Sequence, residues 1–585
     1  MEKHFTKPIV NSHTHIFISD DVPRYLAKKI LVWPFYYLIH THIAVSISRW
    51  YRERKKKHFT FTHKNKTWQK YLSNKSPIKR FFNRVFLLVI NVIFFFYVIY
   101  IFQNQLAFGP LKEPIKRFYD HDRVQQFLFL PERFHYLGIV LVLFVCFKNI
   151  RNKCLKFIWG QIEKRFGKEW LALKLRYLNL LRYARYTRMS GIFHRMKDQY
   201  PRGSKFVVLP MDMEYMGAGQ VKRSYPYQMS RLLKIKKSNE DTIFPFVFAH
   251  PKRMDQKVTV EVDGTSIAVP YFSGYLDEEG YYQLNECAIK LYLENGCAGI
   301  KIYPATGYYV FDEKLLPLWL YCAQKNIPIT THCSVGPIFY RGNLSKLDGK
   351  IDEHPIFKQN TGQLVNGQYP QLRLPLHKNS IFQKNFTHPL NYCCLLEDKL
   401  LKEVLDYHNN SKLNTLFGYT DKKKPLKRNL SNLKINLAHY GGSENWDQFL
   451  EQDRFVYANW VVKKPNSILN LRQQIFNVDV FYKYWHYVDW FTIISSMMVN
   501  YDNVYTDVSY TTHDLKHLNL LSEILDHSKI RKRVMFGTDF YVVSNHKSEK
   551  HYWMDMESNL SARKWNLLSD GNPKEFLNSK YVNIT

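Results

Sequence analysis

Short apolar runs recur along the chain at helix-length intervals, and each ends in a polar residue. Runs of this kind are typical of strands that are buried on both faces of a parallel sheet. Segments 284–295 and 314–325, which lie between such runs, have a pattern compatible with helices. The runs are Pro8–His15, Lys205–Asp212, Ile243–His250, Gly299–Tyr303, Ile327–His332, Lys434–His439, Asn503–Asp507 and Arg533–Asp539.

This alternation predicts an α/β fold, and eight repeats favour a closed (β/α)₈ TIM barrel over an open sheet. A barrel of this kind takes about 250 residues, so a chain of 585 residues carries large additions. We expect residues 1–16 and 186–585 to form the barrel. Residues 17–185 then form a large, mainly helical insertion after the first strand. The long interval 333–434, rich in Asn, Gln, Pro and Lys, predicts an extended cover over the barrel mouth.

The insertion holds most of the net charge of +34, with 32 Lys or Arg against 9 Asp or Glu in residues 17–185. Its uncharged run 85–102 is close to the length that spans a bilayer, and a second apolar run covers 134–147. Basic residues flank the outer sides of both runs, which predicts a transmembrane or membrane-associated hairpin with both ends cytoplasmic. The alternative is a helical subdomain that packs on the barrel or on a second subunit.

Basic flanks of this kind favour contact with anionic membrane lipid. The predicted location is the cytoplasmic side of the membrane, with a soluble cytoplasmic protein as the alternative and a homo-oligomer left open. Nucleic acid is not a predicted partner, because the basic residues flank apolar runs and form no nucleic-acid-binding motif. The eight cysteines contain no Cys-x-x-Cys pair, so a cysteine-bound zinc module is not predicted.

The first predicted strand ends in His13 and His15. Residues two apart on a strand point to the same side, so the two imidazoles form half of a site for a divalent metal. In a (β/α)₈ barrel the functional residues lie at the carboxyl ends of the strands. His332 ends the fifth run and Asp539 the eighth. Together the four side chains offer three nitrogens and one oxygen to a zinc-like ion, with room for water.

Two of the strand-end residues are candidates for catalysis. Asp539 can accept the proton of a metal-activated water, and His439 can orient that water or polarise the substrate. Asp507, at the end of the seventh run, is expected to fix a loop.

The chain at this point resembles the amidohydrolase superfamily, in particular its amidohydrolase-2 branch. The resemblance covers the barrel strands and not the insertion, and its motifs occur in the family's order. They are Asn11-Ser12-His13-Thr14-His15, Gly299-Ile300-Lys301-Ile302-Tyr303-Pro304, Thr330-Thr331-His332-Cys333, Leu437-Ala438-His439-Tyr440-Gly441-Gly442 and Phe536-Gly537-Thr538-Asp539-Phe540.

The resemblance implies a divalent metal, usually zinc, held by His13, His15, His332 and Asp539, with His439 in catalysis or on a second metal. It leaves two roles open for Lys301. In binuclear relatives the matching lysine is carboxylated and bridges two metals, whereas in single-metal members it is often structural.

Three further residues are weaker candidates for substrate binding. His388 can reach into the mouth from the cover, although a structural turn is an equal alternative. Arg341 and Arg373 can pair with a substrate carboxylate, although a solvated arginine is the ordinary state.

The sequence therefore predicts a metal-dependent hydrolase that acts on a C–N or C–O bond of a small molecule. The same branch includes decarboxylases and hydratases, and the motifs do not separate these lyases from hydrolases. An alternative of another class is an inactive, membrane-anchored barrel that acts as a binding protein.

Overall fold

The computed structural model describes residues 7–23, 25–26 and 188–583, apart from 263, 348–350, 359–370, 452–470, 475–476 and 544–546, together with positions 113, 117, 121 and 161. The chain divides into two compact units, residues 1–40 with 186–585 and residues 41–185. The first unit contains almost all of the described residues.

Membrane insertion was predicted for the runs 85–102 and 134–147, and both lie outside the described residues. Within the part of the chain that the structure describes, no helix is long and apolar enough to cross a membrane. The hairpin stays a prediction from the sequence.

Eight parallel strands form one sheet in which the order along the chain is also the order in space. The sheet closes because Ser12 N donates to Phe536 O (2.9 Å) and Asp539 N donates to His13 O (3.0 Å). The predicted (β/α)₈ barrel is confirmed, and each predicted run overlaps one strand. The strands are β1 (Val10–Thr14), β2 (Lys205–Val208), β3 (Ile243–Phe248), β4 (Gly299–Ile302), β5 (Ile329–Ser334), β6 (Ile435–Gly441), β7 (Val504–Asp507) and β8 (Val534–Met535).

Helices follow most of the strands, and short polar side chains begin several of them. The Asp489 carboxylate, for example, accepts from Thr492 N at 2.7 Å and caps the helix that starts at Trp490. The helices α1 to α18 of the described residues are, in chain order, Met189–Lys197, Tyr225–Lys237, Pro251–Met254, Ala288–Glu294, Leu316–Lys325, Asn379–Thr387, Leu390–Leu396, Asp398–His408, Ser411–Phe417, Ser443–Glu451, Leu471–Gln474, Val478–Tyr487, Trp490–Asn500, Leu515–Ile524, Phe540–Val543, Glu549–Asn559, Ala562–Asn566 and Asn572–Leu577.

The interval 333–434 is not the extended cover that its composition suggested. Its described part holds one antiparallel hairpin and the four helices α6 to α9. Apolar residues at helical spacing decide this, since Leu401, Val404 and Leu405 on α8 are completely buried. Three antiparallel hairpins flank the barrel: Lys257–Val262 with Thr265–Pro270, Gly274–Leu276 with Tyr282–Leu284, and Glu353–Lys358 with Gln371–Arg373.

An apolar core cluster holds the strands together below the polar strand ends. Val10, Val207, Phe246, Tyr505 and Met535 contribute to it from β1, β2, β3, β7 and β8. The same strands lead upward into polar residues at their carboxyl ends. Packing of this core therefore fixes the positions of the strand ends, and so brings their polar side chains to the same end of the barrel.

Candidate metal centre

His13 and His15 are buried at the carboxyl end of β1, and each has one ring nitrogen committed to an acceptor. Nδ1 of His13 lies 3.0 Å from Oδ2 of Asp507, and Nδ1 of His15 lies 2.7 Å from the Leu209 carbonyl oxygen. A carboxylate and a carbonyl can only accept, so both rings carry their proton on Nδ1. The two Nε2 atoms, 3.3 Å apart, therefore turn lone pairs toward one another.

This arrangement fits a divalent cation. Two facing lone pairs repel unless a positive charge lies between them. Nitrogen ligands at about 2.0–2.1 Å from a tetrahedral zinc lie roughly 3.4 Å apart, which is close to the separation of these two atoms. Burial and the neighbouring His13 lower the pKa of His15 well below its usual value, so its ring stays in the neutral form that binds metals.

Asp539 and His439 complete the set of converging donor atoms. His13, His439 and Asp539 each offer one atom, and these atoms lie within 4.8 Å of one another. Oδ1 of Asp539 is also 3.8 Å from Nε2 of His15. Burial raises the pKa of Asp539 to about 6, although His13 and Lys301 act in the opposite direction.

His332 lies beside His439, with its Nδ1 2.9 Å from Nε2 of that ring. Burial lowers the pKa of His439 to about 3 and that of His332 well below its usual value, so both are neutral at neutral pH. The ring of His332 also stacks on Tyr303 at 4.1 Å between centroids. Among the described residues, His13, His439 and Asp539 thus form one convergent group of donors, with His15 beside His13 and His332 beside His439.

Lys301 is completely buried at the carboxyl end of β4. Its Nζ has no hydrogen-bond partner among the residues that the structure describes. Burial lowers its pKa to about 8, while Asp507 and Asp539 draw it upward. The charge of Lys301 in turn lowers the pKa values of His15 and His332. Lys301 is therefore a buried cation whose charge acts on two of the predicted metal ligands.

Asp507 does more than the loop-fixing role expected of it. Besides His13, it accepts from Asn436 Nδ2 at 2.8 Å and from His439 N at 3.2 Å. Burial alone would raise its pKa, but the neighbouring His13 ring and its hydrogen bond hold the pKa below its usual value. Asp507 is therefore an ionised carboxylate that orients a metal-binding imidazole. The sequence signal for this role is the position of Asp507 at the end of a predicted strand.

The backbone around the centre adopts conformations that most side chains avoid. His439 has φ +70° and Asp539 has φ +52°, and left-handed residues of this kind cluster at functional sites. Gly537 precedes Asp539 where β8 passes β1, and a Cβ there would lie 2.7 Å from Cβ of His13. Only a glycine allows the two ligand-bearing segments to approach so closely.

His388 and Arg341, two of the three predicted substrate-binding residues, make their hydrogen bonds and ring contacts with residues other than the converging donors. His388 stacks on Trp485 at 3.9 Å, its Nε2 lies 3.1 Å from the Trp485 oxygen and its Nδ1 accepts from Leu390 N. Arg341 donates to the Pro337 carbonyl oxygen at 2.9 Å. Arg373 lies on the strand Gln371–Arg373, and the structure does not describe its side chain. Contact of any of them with a substrate stays a prediction.

Comparison with known proteins gives distant structural likenesses. No protein-family model and no curated protein sequence matches the chain. The chain is similar to 5-carboxyvanillate decarboxylase from Novosphingobium aromaticivorans, complexed with manganese and 4-hydroxy-3-methoxy-5-nitrobenzoic acid. The identity is 12%, the match covers 66% of this chain and 79% of that one, and the TM-score is 0.32.

Two other solved structures show a similar degree of likeness. One is 2,6-dihydroxybenzoate decarboxylase from Rhizobium, at 10% identity over 64% of this chain and 83% of that one, with a TM-score of 0.30. The other is an amidohydrolase II, at 12% identity over 66% and 88%, with a TM-score of 0.29. The fold itself is defined by the strand order and the barrel closure.

Proposed function

We propose that this chain is a metal-dependent enzyme of the amidohydrolase type that hydrolyses a C–N or C–O bond of a small molecule. The observation that carries the proposal is the 3.3 Å approach of His13 Nε2 and His15 Nε2 in two rings that both direct Nδ1 to an acceptor. An inactive binding barrel would have no need for this costly arrangement of lone pairs.

The donor set suits one or two divalent ions, with zinc as the first choice because nitrogen ligands predominate. When bound, such an ion supplies Lewis acidity and lowers the pKa of a water molecule in the site. Asp539 accepts the proton that the attacking water loses and passes it to the leaving nitrogen or oxygen. Burial raises the pKa of Asp539 above its usual value, which favours a group that both takes and returns a proton. His439, with a pKa of about 3, acts as a neutral ring.

A second candidate is a decarboxylase of the same branch, and Lys301 favours it. A buried ammonium that lacks a hydrogen-bond partner among the described residues suits a substrate carboxylate. In that reaction the carboxylate leaves as carbon dioxide, and a proton from the protonated Asp539 takes its place on carbon. A hydratase would use the same proton-transfer group.

Elemental analysis of the purified protein, joined to a substrate panel, tests these proposals. The panel contains amides, cyclic amides, lactones and aromatic carboxylic acids. Ring opening or amide cleavage that depends on added metal supports the hydrolase, and metal-dependent release of carbon dioxide supports the decarboxylase. A protein that binds no metal and turns over no member of the panel would instead favour the inactive barrel.

We further propose that residues 17–185 hold the enzyme at the cytoplasmic side of a membrane. The support comes from the sequence, in which the apolar runs 85–102 and 134–147 have basic outer flanks. A substrate delivered from the membrane would then enter close to the barrel. Residues 1–16, which carry His13 and His15, lead directly into this insertion.

A further inference from the structure

Asn11 lies two residues before His13, and its side chain is the centre of a buried hydrogen-bond network. Its Oδ1 accepts from His13 N at 3.1 Å, which fixes the orientation of the amide, since a backbone N–H can only donate. Its Nδ2 then donates twice, to Thr538 Oγ1 at 2.9 Å and to the Tyr200 hydroxyl at 2.9 Å. Asn11 and Thr538 are completely buried.

The network joins the two segments that carry converging donor atoms. His13 supplies one of these atoms, and Thr538 directly precedes Asp539, which supplies another. Asn11 uses both of its amide hydrogens and its oxygen in these contacts. A rotation of the Asn11 side chain would therefore release the end of β1 and the end of β8 at the same time.

Tyr200 and Glu549 hold Asn11 in place from outside the barrel. The Tyr200 hydroxyl accepts from Asn11 and donates to Glu549 Oε2 at 2.5 Å, so the direction of both hydrogen bonds of this hydroxyl is assigned. The ring of Tyr200 packs edge-on against Phe206 of β2 at 4.9 Å between centroids. Glu549 begins α16 and is 1% exposed.

We infer that Asn11, Tyr200 and Glu549 are positioning residues that keep His13 and Asp539 at the separation a metal ion needs. The inference rests on the proposed metal centre and adds an outer set of residues to it. Tyr200 follows α1, on the segment by which the chain returns to the barrel after residues 27–187. The metal affinity should therefore depend on the position of the segment that carries Tyr200.

Metal affinity, measured with Zn²⁺ or Mn²⁺ alone against a chromophoric chelator, tests the inference on the full chain. Tyr200→Phe removes the hydroxyl that links Asn11 to Glu549, and we expect it to weaken metal binding by about 10–100-fold. Tyr321→Phe is the matched control, because it removes a hydroxyl that is 2.5 Å from the Tyr581 hydroxyl, away from the ligand-bearing segments. It should bind metal as the wild type does.

A pair of variants at Glu549 provides the second readout. Glu549→Gln keeps an acceptor for the Tyr200 hydroxyl and should retain the wild-type affinity, whereas Glu549→Leu should lose about as much as Tyr200→Phe. If only packing at Glu549 mattered, both variants would lose metal affinity to a similar degree. Hydrogen bonding instead predicts a loss in Glu549→Leu alone.

Wild-type affinity in folded Tyr200→Phe, or equal losses in Glu549→Gln and Glu549→Leu, would overturn the inference while the metal centre stands. If Tyr200→Phe does not fold, the comparison of the two Glu549 variants decides. Absence of metal binding by the wild type would overturn the metal centre and, with it, this inference.

Discussion

Nε2 of His13 and Nε2 of His15 face one another across 3.3 Å, while the Nδ1 protons point away to Asp507 and to the Leu209 carbonyl. The two acceptors outside the pair thus decide which nitrogens are left for a ligand. A histidine pair becomes a metal half-site only when both tautomers are set in this way.

We expect the wild-type protein to bind about one to two divalent ions, and His13→Ala and Asp539→Asn to lose most of them. The first substitution removes a converging donor atom, and the second replaces a charged carboxylate with a neutral amide. Elemental analysis of the purified variants measures the loss. His527→Ala, which removes a buried imidazole outside the centre, should keep its metal. Stoichiometric metal in both ligand variants would refute the site.

Asp507→Asn should lower metal affinity by about 10–100-fold, although it preserves the shape of the side chain. An amide nitrogen facing Nδ1 of His13 would move the ring proton to Nε2 and block its lone pair. Chelator competition measures the change. Asp514→Asn makes the same substitution at the cap of α14, where the side chain accepts from Lys516 N, and should not alter metal binding. An unchanged affinity in Asp507→Asn would show that the carboxylate does not set the tautomer.

Gly537→Ala should disturb both stability and metal binding. The new Cβ would lie 2.7 Å from Cβ of His13 and 3.2 Å from Cβ of Ser509, so the two ligand segments must separate. Overpacking of this kind costs about 1–3 kcal/mol, which denaturant unfolding can measure. At Gly571 a Cβ would meet nothing closer than 3.7 Å, so Gly571→Ala should be tolerated. Equal effects of the two substitutions would argue against a steric role for Gly537.

Glu549 gives a pH dependence of stability with a definite sign. Burial raises its pKa from 4.5 to about 7. Between these values the native state holds a proton that the unfolded chain has lost, so the free energy of unfolding falls as the pH rises through this window. In total the free energy of unfolding falls by about 3 kcal/mol, and the fall is complete above a pH of about 7.

Glu549→Gln cannot ionise and should therefore become more stable relative to the wild type when the pH is raised from 5 to 8. Chemical denaturation at the two pH values measures this difference. Glu444→Gln changes an exposed carboxyl on α10 and should leave the pH profile unaltered. A stability difference between Glu549→Gln and the wild type that is the same at both pH values would contradict the prediction.

Removal of residues 85–147 should move the protein from the membrane fraction to the soluble fraction. A smaller change, Ile93→Arg with Phe95→Arg, should have the same direction because charge within the apolar run opposes insertion. Cell fractionation followed by immunoblotting measures both. Tyr275→Arg with Tyr281→Arg adds the same charge at exposed positions of the barrel unit and serves as the control. Sedimentation of the deletion variant with membranes would rule out the hairpin as the anchor.

The sequence by itself determined the barrel and most of its strand ends. Buried strands of a parallel sheet require short apolar runs, and helical crossovers require the intervals between them, so both leave a local pattern. The His-x-His pair and the polar ends of β5, β6 and β8 were visible for the same reason. The helices of the interval 333–434 were missed, because its overall composition hid the helical spacing of residues such as Leu401 and Val404.

Only the tertiary structure decided which nitrogen of each histidine faces the centre and which residues support the ligands. Asp507 is 494 residues from His13, and Thr538 is 527 residues from Asn11, yet each pair is hydrogen-bonded. No local pattern records such contacts, since they arise when barrel closure brings β1 beside β8. The sequence determines that histidine and aspartate residues lie at the strand ends. Closure of the barrel determines which ring nitrogen carries the proton, how far apart the donor atoms lie and which residues they contact.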